Sequence, residues 1–304
     1  MDLKWLLELR GEFEALGCSP TLSEILAMKS SVSILCEKQN HDVAHFWGKI
    51  KGTERNYLVV VCYTGGLLGT RTTYASLDGV SWFGLPFVTE TLISHVVNIR
   101  DRIRGQPLVK VPIRHPRKRT AFVDLSPLIP PKPKKSEEEE EEEEQKEQKE
   151  PNEEEEKEEE EELPEFEEFQ ISEDQRIAVL VHLIDRRGII FPQDALLWKS
   201  ANEVKINPLF QGFTTETTLD DYCRLEKDVR GESARPNGII DTMPTLSEDL
   251  PSKGWTVYRE TNSKVIKVVS RLWPGLAFII KENKWGTVYL GDGQRNTDFL
   301  FASE

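Results

Sequence analysis

The stretch HFWGKIKGTERNYLVVVCY, residues 45–63, decides the fold class. Its two ends are rich in aromatic and β-branched residues, and the six residues between them, KGTERN, carry glycine, asparagine and charge; the pattern is a β-hairpin. Upstream, the period is helical. Leu3, Leu6, Leu7, Phe13 and Leu16 recur near helical spacing up to a stop at Gly17. A second helix starts at Ser19 and Pro20, carries Leu22, Ile25, Leu26, Val32 and Leu35, and has Thr21 and Glu24 spaced as a capping box. The two make a helical hairpin.

Downstream, after a glycine-rich bend at 65–69, TTYASL (72–77) and SWFGL (81–85) flank Asp78 and Gly79, a strong short hairpin signal. Leu92, Ile93, Val96, Val97 and Ile103 then mark a helix that ends at Gly105. Residues 106–135 hold seven prolines and are followed by a glutamate run, so 106–165 reads as a disordered linker. The second half resumes with RIAVLVHLI (176–184), a turn at DRRG (185–188), IIFP (189–192) and a short helix near 218–226. Its last fifty residues read as a meander: GWTVYRE, KVIKVVSRL, LAFII and WGTVYL, separated by TNS, WPG and KENK. The expected class is α+β with mostly antiparallel sheet. Residues 1–105 form an N-terminal α+β half and 166–304 a β-rich half packed with it as one unit.

The chain has 304 residues and a formal charge of −14, and one tract dominates that charge. Residues 137–162 hold 19 Glu against three Lys, a net −16, so taking them away from −14 leaves +2 for everything else. Four cysteines, Cys18, Cys36, Cys62 and Cys223, never occur as CxxC, and no basic-then-apolar segment opens the sequence; both point to a reducing intracellular compartment. The longest apolar stretches fall well short of the ~20 residues of a membrane span, so a soluble protein is expected.

No motif carries chemistry. His41 and His45 stand four apart, but Asp-Val-Ala lies between them, so the glutamate of a zinc-protease helix is missing and no third ligand is evident. GGLLGT at 65–70 lacks the Lys-Ser/Thr of a phosphate loop and suits a hairpin connection better. There is no GxSxG, and no cysteine lies near a histidine in a recognisable motif. The expectation is no catalytic residue, no metal and no cofactor. Residues 100–135 carry eleven Lys or Arg against two Asp, but they adjoin the −16 block, which screens them, and Phe122 alone could stack on a base; nucleic acid is not expected as a partner. Trp47, Trp82, Trp255, Trp273 and Trp285 fall on predicted strands or at their ends, as core rings or partner-facing anchors.

Three segments in order resemble the radial spoke head protein family: HFWGKIKGTERNYLVV (45–60), IDRRGIIFPQDALLW (184–198) and SRLWPGLAFIIKENKWGTVYLGDGQRN (270–296). The glutamate run departs from the family pattern by being longer and more acidic. The resemblance implies a structural scaffold of the spoke head in the axoneme of a cilium or flagellum. It implies the larger related head subunits as partners, with central-pair projections as a further contact, and neither membrane nor nucleic acid. Trp47, Gly48, Tyr57, Trp273, Pro274, Gly275, Trp285 and Gly286 lie in its matching segments and are the structural or interface candidates. The competing reading is an acidic-tract nuclear or chromatin-associated binding protein, for which the glutamate run would hold a basic partner.

Overall fold

Eight strands form the main sheet of the computed structural model, and they come from both halves of the chain. The structure describes residues 1–14, 16–65, 69–97, 99, 101–113, 169–200, 203–213, 217–224, 245–249, 253–260, 264–296 and 298. The first meander comprises β1 (Val43–Ile50), β2 (Tyr57–Thr64), β3 (Thr70–Ser76) and β4 (Phe83–Gly84). The second comprises β5 (Trp255–Glu260), β6 (Val265–Ser270), β7 (Leu276–Lys281) and β8 (Lys284–Gly291). The order across the sheet is β5-β6-β7-β8-β1-β2-β3-β4. All neighbours are antiparallel except β8 and β1, whose parallel register sets Gly48 against Tyr289, Lys49 against Leu290 and Ile50 against Gly291.

Each predicted β-hairpin is present, whereas the first predicted helix, carrying Leu3 to Leu16, is helical only over Arg10–Glu14, with turns over residues 3–9. The antiparallel β1–β2 ladder runs from Val43 opposite Tyr63 to Ile50 opposite Tyr57, and Asp78 and Gly79 lie in the β3–β4 connection. Asp78 accepts hydrogen bonds from the Val80 and Ser81 amides, both 2.8 Å, which hold its carboxyl at about 2. The glycine-rich bend joins β2 to β3, with Thr64 opposite Thr70.

Alternation along the strands feeds two apolar layers. One holds Trp47, Tyr57, Val59, Val61, Phe278, Ile280 and Tyr289; the other holds Phe46, Leu58, Val60, Ala277, Ile279, Val288 and Leu290. Each fully buried large side chain contributes about 1.5–3 kcal/mol. The second layer is covered by the turns before α1, by α1 (Arg10–Glu14) and by α2 (Leu22–Gln39), through Leu6, Phe13, Ile25, Met28 and Val32. The capping box is real: the Thr21 amide donates to Glu24 Oε2 at 2.7 Å and the Glu24 amide to Thr21 Oγ1 at 3.3 Å. Glu24 also receives the Lys49 ammonium at 2.8 Å, so the start of α2 is tied to β1.

The first layer is covered by a helix that the sequence pattern hid. Residues read as RIAVLVHLI followed by a turn at DRRG are one helix, α4 (Glu173–Gly188), preceded in the chain by the seven-residue α3 (Glu90–Val96). A continuous apolar run does not separate helix from buried strand, because both faces are apolar either way. The terminal signals do separate them. Gln175 Oε1 accepts from the Ser172 amide at 3.1 Å, Glu173 and Asp174 occupy the first turn, and Arg186 and Arg187 the last, each complementing the helix dipole.

Three further expectations are corrected. The helix reaching Gly105 stops at Val96, because the Ile103 and Arg104 carbonyls accept from the amides of Thr53, Glu54 and Arg55 instead of from a helix. The helix near 218–226 is a 3-10 turn, Leu219–Asp221, followed by the strand Tyr222–Arg224 paired with Ile190–Pro192. Within the stretch read as linker, Lys110–Ile113 is a short strand; the glutamate run and most of the basic stretch lie outside the described residues. The described residues up to Ile113 and from Gln170 onward make one compact unit. The protein is α+β with a sheet dominated by antiparallel pairs.

Candidate functional site

The parallel join of β8 and β1 gathers five of the eight candidate residues. Gly48 lies against the Tyr289 backbone so closely that a Cβ there would stand well under 3.0 Å from the Tyr289 carbonyl oxygen. Glycine at this position is a condition of the join. The ladder with β2 slips between Phe46 and Gly48, a bulge that aims Trp47 into the first apolar layer. There its ring packs on Tyr289, 5.3 Å between centroids, and Nε1 donates to Asp185 Oδ1 at 2.6 Å.

Trp273, Pro274 and Gly275 close on the same strand from the side of β7. The Trp273 amide donates to Ser270 Oγ at 3.2 Å, and the Leu276 amide to the Trp273 carbonyl at 2.9 Å, which makes a tight corner. Gly275 has φ +94, a left-handed conformation that glycine adopts without strain, and its carbonyl accepts from the Leu290 amide at 2.8 Å. The Pro274 carbonyl sits against Gly291, where a Cβ would collide with it. The Trp273 ring is buried beneath, 6% exposed. Gly291 completes the junction by accepting from the Lys51 amide at 2.8 Å.

Tyr57 belongs to a second contact. Its hydroxyl donates to Glu173 Oε1 at 2.7 Å, and the same carboxylate accepts from the amides of Arg104, Gly105 and Gln106 at 2.7–2.9 Å. Burial alone would raise the Glu173 carboxyl, but these four donors outweigh it and hold it below its ordinary value. Burial, and then the Glu173 charge, push the Tyr57 phenol far up. Trp285 and Gly286 stand at the other end of β8. Trp285 is half-buried against Phe278, 6.2 Å between centroids, and Gly286 faces Met1, whose carbonyl accepts from the Phe46 amide at 2.8 Å.

The residues that organise the seam but were not singled out are carboxylates. Asp185 holds Trp47 and pairs with Arg71 of β3. Asp249 takes the Trp255 indole at 2.8 Å, Arg224 at 2.7 Å and Arg187 at 3.5 Å. Helix α4 thus bridges the sheet: Glu173 and Asp185 grip the first meander, while Arg187 reaches Asp249 and, through it, Trp255 of the second. A tryptophan with a carboxylate partner was the available signal, yet the two lie 138 positions apart for Trp47 and Asp185. His41 bonds Thr64 Oγ1 and Tyr74 OH, each at 2.9 Å, and the His45 ring meets Tyr63, with burial holding it down at about 4. Among the described residues no group of three or more His, Cys, Asp and Glu is placed to hold a metal, and no helix is long and apolar enough to cross a membrane. The strongly shifted groups at the seam are all engaged in holding chain segments together.

Residues 127–303, more than half of the chain, match the family model described as radial spokehead-like protein. Over 285 residues the chain is 26% identical to radial spoke head protein 9 homolog of Homo sapiens and 25% identical to that of Bos taurus, covering 90% of both chains in each case. It is 24% identical to that of Danio rerio over 296 residues, 94% of each chain. A family match over more than half of the chain, spanning α4 and the second meander, places the chain in the radial spokehead-like protein family.

Proposed function

We propose that this chain is a structural scaffold subunit of the axonemal radial spoke head, needed for assembly of the head and through it for regulation of ciliary or flagellar motility. The observation that carries this reading is the family match combined with a sheet whose two meanders are locked by backbone close approaches at Gly48, Gly275 and Gly291. A locked body suits a part that passes load between neighbours. In this reading the two halves act as one rigid unit that includes residues 106–113, and the glutamate run at 137–162 is a solvated spacer. Trp47, Gly48, Tyr57, Trp273, Pro274 and Gly275 hold that unit together, while the half-exposed Trp285 with Gly286 borders the surface. The partners are the larger related head subunits, held through apolar faces and sheet edges, with the central-pair projections as a second contact. The edge strand β5 supports this, since it presents Tyr258 at 57% exposure. No cofactor, nucleic acid or membrane enters, and the location is the cytoskeleton of the axoneme.

The test is purification of spoke heads from axonemes carrying a tagged chain, followed by washing at raised ionic strength. Retention with the related head subunits is expected, because apolar contacts hold in salt while exposed charge pairs let go. Recovery of the chain as a free monomer, or its accumulation in nuclei, would overturn the reading and favour the acidic-tract alternative.

A further inference from the structure

Cys36 and Cys62 stand 26 positions apart in the sequence and meet in the fold. Cys36 lies in the last turn of α2 and is half-buried; Cys62 lies on β2 and is fully buried in the layer beneath that helix. Cys36 packs against the buried cluster that contains Cys62, which sets the two thiols beside each other. The chain then folds over the pair. Asn40 ends α2 in a left-handed conformation, the His41 amide donates to the Cys36 carbonyl at 2.9 Å, and the His41 ring bonds Tyr74, which belongs to the same buried cluster as Cys62. The other two cysteines lie elsewhere: Cys18 precedes α2, and Cys223 sits on the short strand Tyr222–Arg224, opposite Phe191.

We propose that Cys36 and Cys62 are a modification site, closing to a reversible disulfide that fastens α2 to the sheet. The oxidant is a low-molecular-weight disulfide such as oxidised glutathione. Deprotonated Cys36 attacks one of its sulfurs, the S–S bond breaks, a glutathione thiolate leaves, and a mixed disulfide remains on Cys36. Cys62 then gives up its proton and attacks the Cys36 sulfur, expelling the second glutathione thiolate. Two protein thiols lose two electrons in total, one glutathione disulfide is reduced, and the two protons end on the two glutathione thiols released.

Accessibility sets the order of these steps, since Cys36 is half-buried and Cys62 fully buried. Burial pushes both thiols up, Cys62 to about 12, so the first step is slow and the pair stays reduced through brief exposure to oxidant. The second step joins two sulfurs that pack in the same apolar cluster. The site therefore responds to a sustained change of redox poise rather than to a pulse.

The test uses the purified full chain equilibrated in glutathione buffers from fully reduced to fully oxidised, quenched in acid, alkylated and digested for mass spectrometry. The expected result is one linked peptide pair, 36 with 62, with two of the four thiols lost to alkylation and recovered by dithiothreitol. The melting temperature should rise by about 5–10 °C on oxidation, because the link closes a loop of some 25 residues in the unfolded chain. C36S and C36A should each abolish both the link and the rise, and C18S should abolish neither. A stable glutathione adduct on Cys36 without the link, a link through Cys18 or Cys223, four free thiols in the fully oxidised buffer, or a melting temperature lowered by the link would each overturn the proposal.

Discussion

Within each meander a strand finds its partner a few residues away: β1 meets β2 across residues 51–56, and β7 meets β8 across Glu282 and Asn283. The seam between the meanders has no such help. Its three register pairs are parallel and join residues about 240 positions apart, and it forms only because glycine lets two backbones approach at Gly48 and again at Gly275 and Gly291. Local ladders tolerate side-chain variety, since alternation alone directs each residue to a face. The seam depends on the absence of side chains at fixed points, and on carboxylates of a helix laid across it.

Substitutions can break that contrast in order of severity. Gly48→Val should cost upwards of about 5 kcal/mol or prevent folding, because the new side chain meets the Tyr289 backbone and neither side can yield. The same change at Thr73, half-buried inside the first meander, should cost about 1 kcal/mol or less, and comparable urea midpoints for the two variants would erase the distinction. Trp273→Ala should cost about 3–5 kcal/mol, as removal of a buried large ring does. Unchanged thermal unfolding with loss of spoke-head binding would move that ring from the seam to an interface.

Glu173→Gln should cost about 1–3 kcal/mol, since the new amide presents donors where the carboxylate accepted from Tyr57 and three backbone amides. Its signature is the pH dependence. A carboxyl depressed in the folded state contributes stability that is complete above the unfolded value of about 4.3 and disappears as pH falls through the lower folded value. Denaturation midpoints of wild type and variant should therefore converge below pH 4, and a constant gap down to pH 2 would contradict the carboxylate's role. Lys284→Ala, which removes an exposed pair with Glu8 at 2.9 Å, should change stability by less than about 0.5 kcal/mol, the smallest effect of the set.

The sequence displayed the meanders and concealed what joins them. Alternating strands, the Asp78 turn and the Thr21 capping box are all written within a few residues, where periodicity and turn chemistry can be read. The run IAVLVHLI was ambiguous because a helix buried against a sheet and a buried strand are both apolar throughout, and DRRG looked like a turn because its aspartate, destined for Trp47, has no local partner. Trp47, Gly48 and the Trp273 corner were visible as conspicuous residues. That they converge on residues 289–291, and that Glu173, Asp185 and Asp249 organise the surroundings, follows from pairings too distant for any local pattern to carry.

The strand order also imposes a schedule on synthesis. β1 is made early, but its outer partner β8 begins 234 positions after Ile50. At about 5–20 residues per second the ribosome needs roughly 10–50 seconds to cover that distance. The bridge of Asp2 to His45 and the bond from the Phe46 amide to the Met1 carbonyl can guard the near end of the bare edge from the outset. Gly48, Lys49 and Ile50 stay uncovered until β8 emerges, so throughout that interval the nascent chain presents an open β edge at the centre of its future sheet.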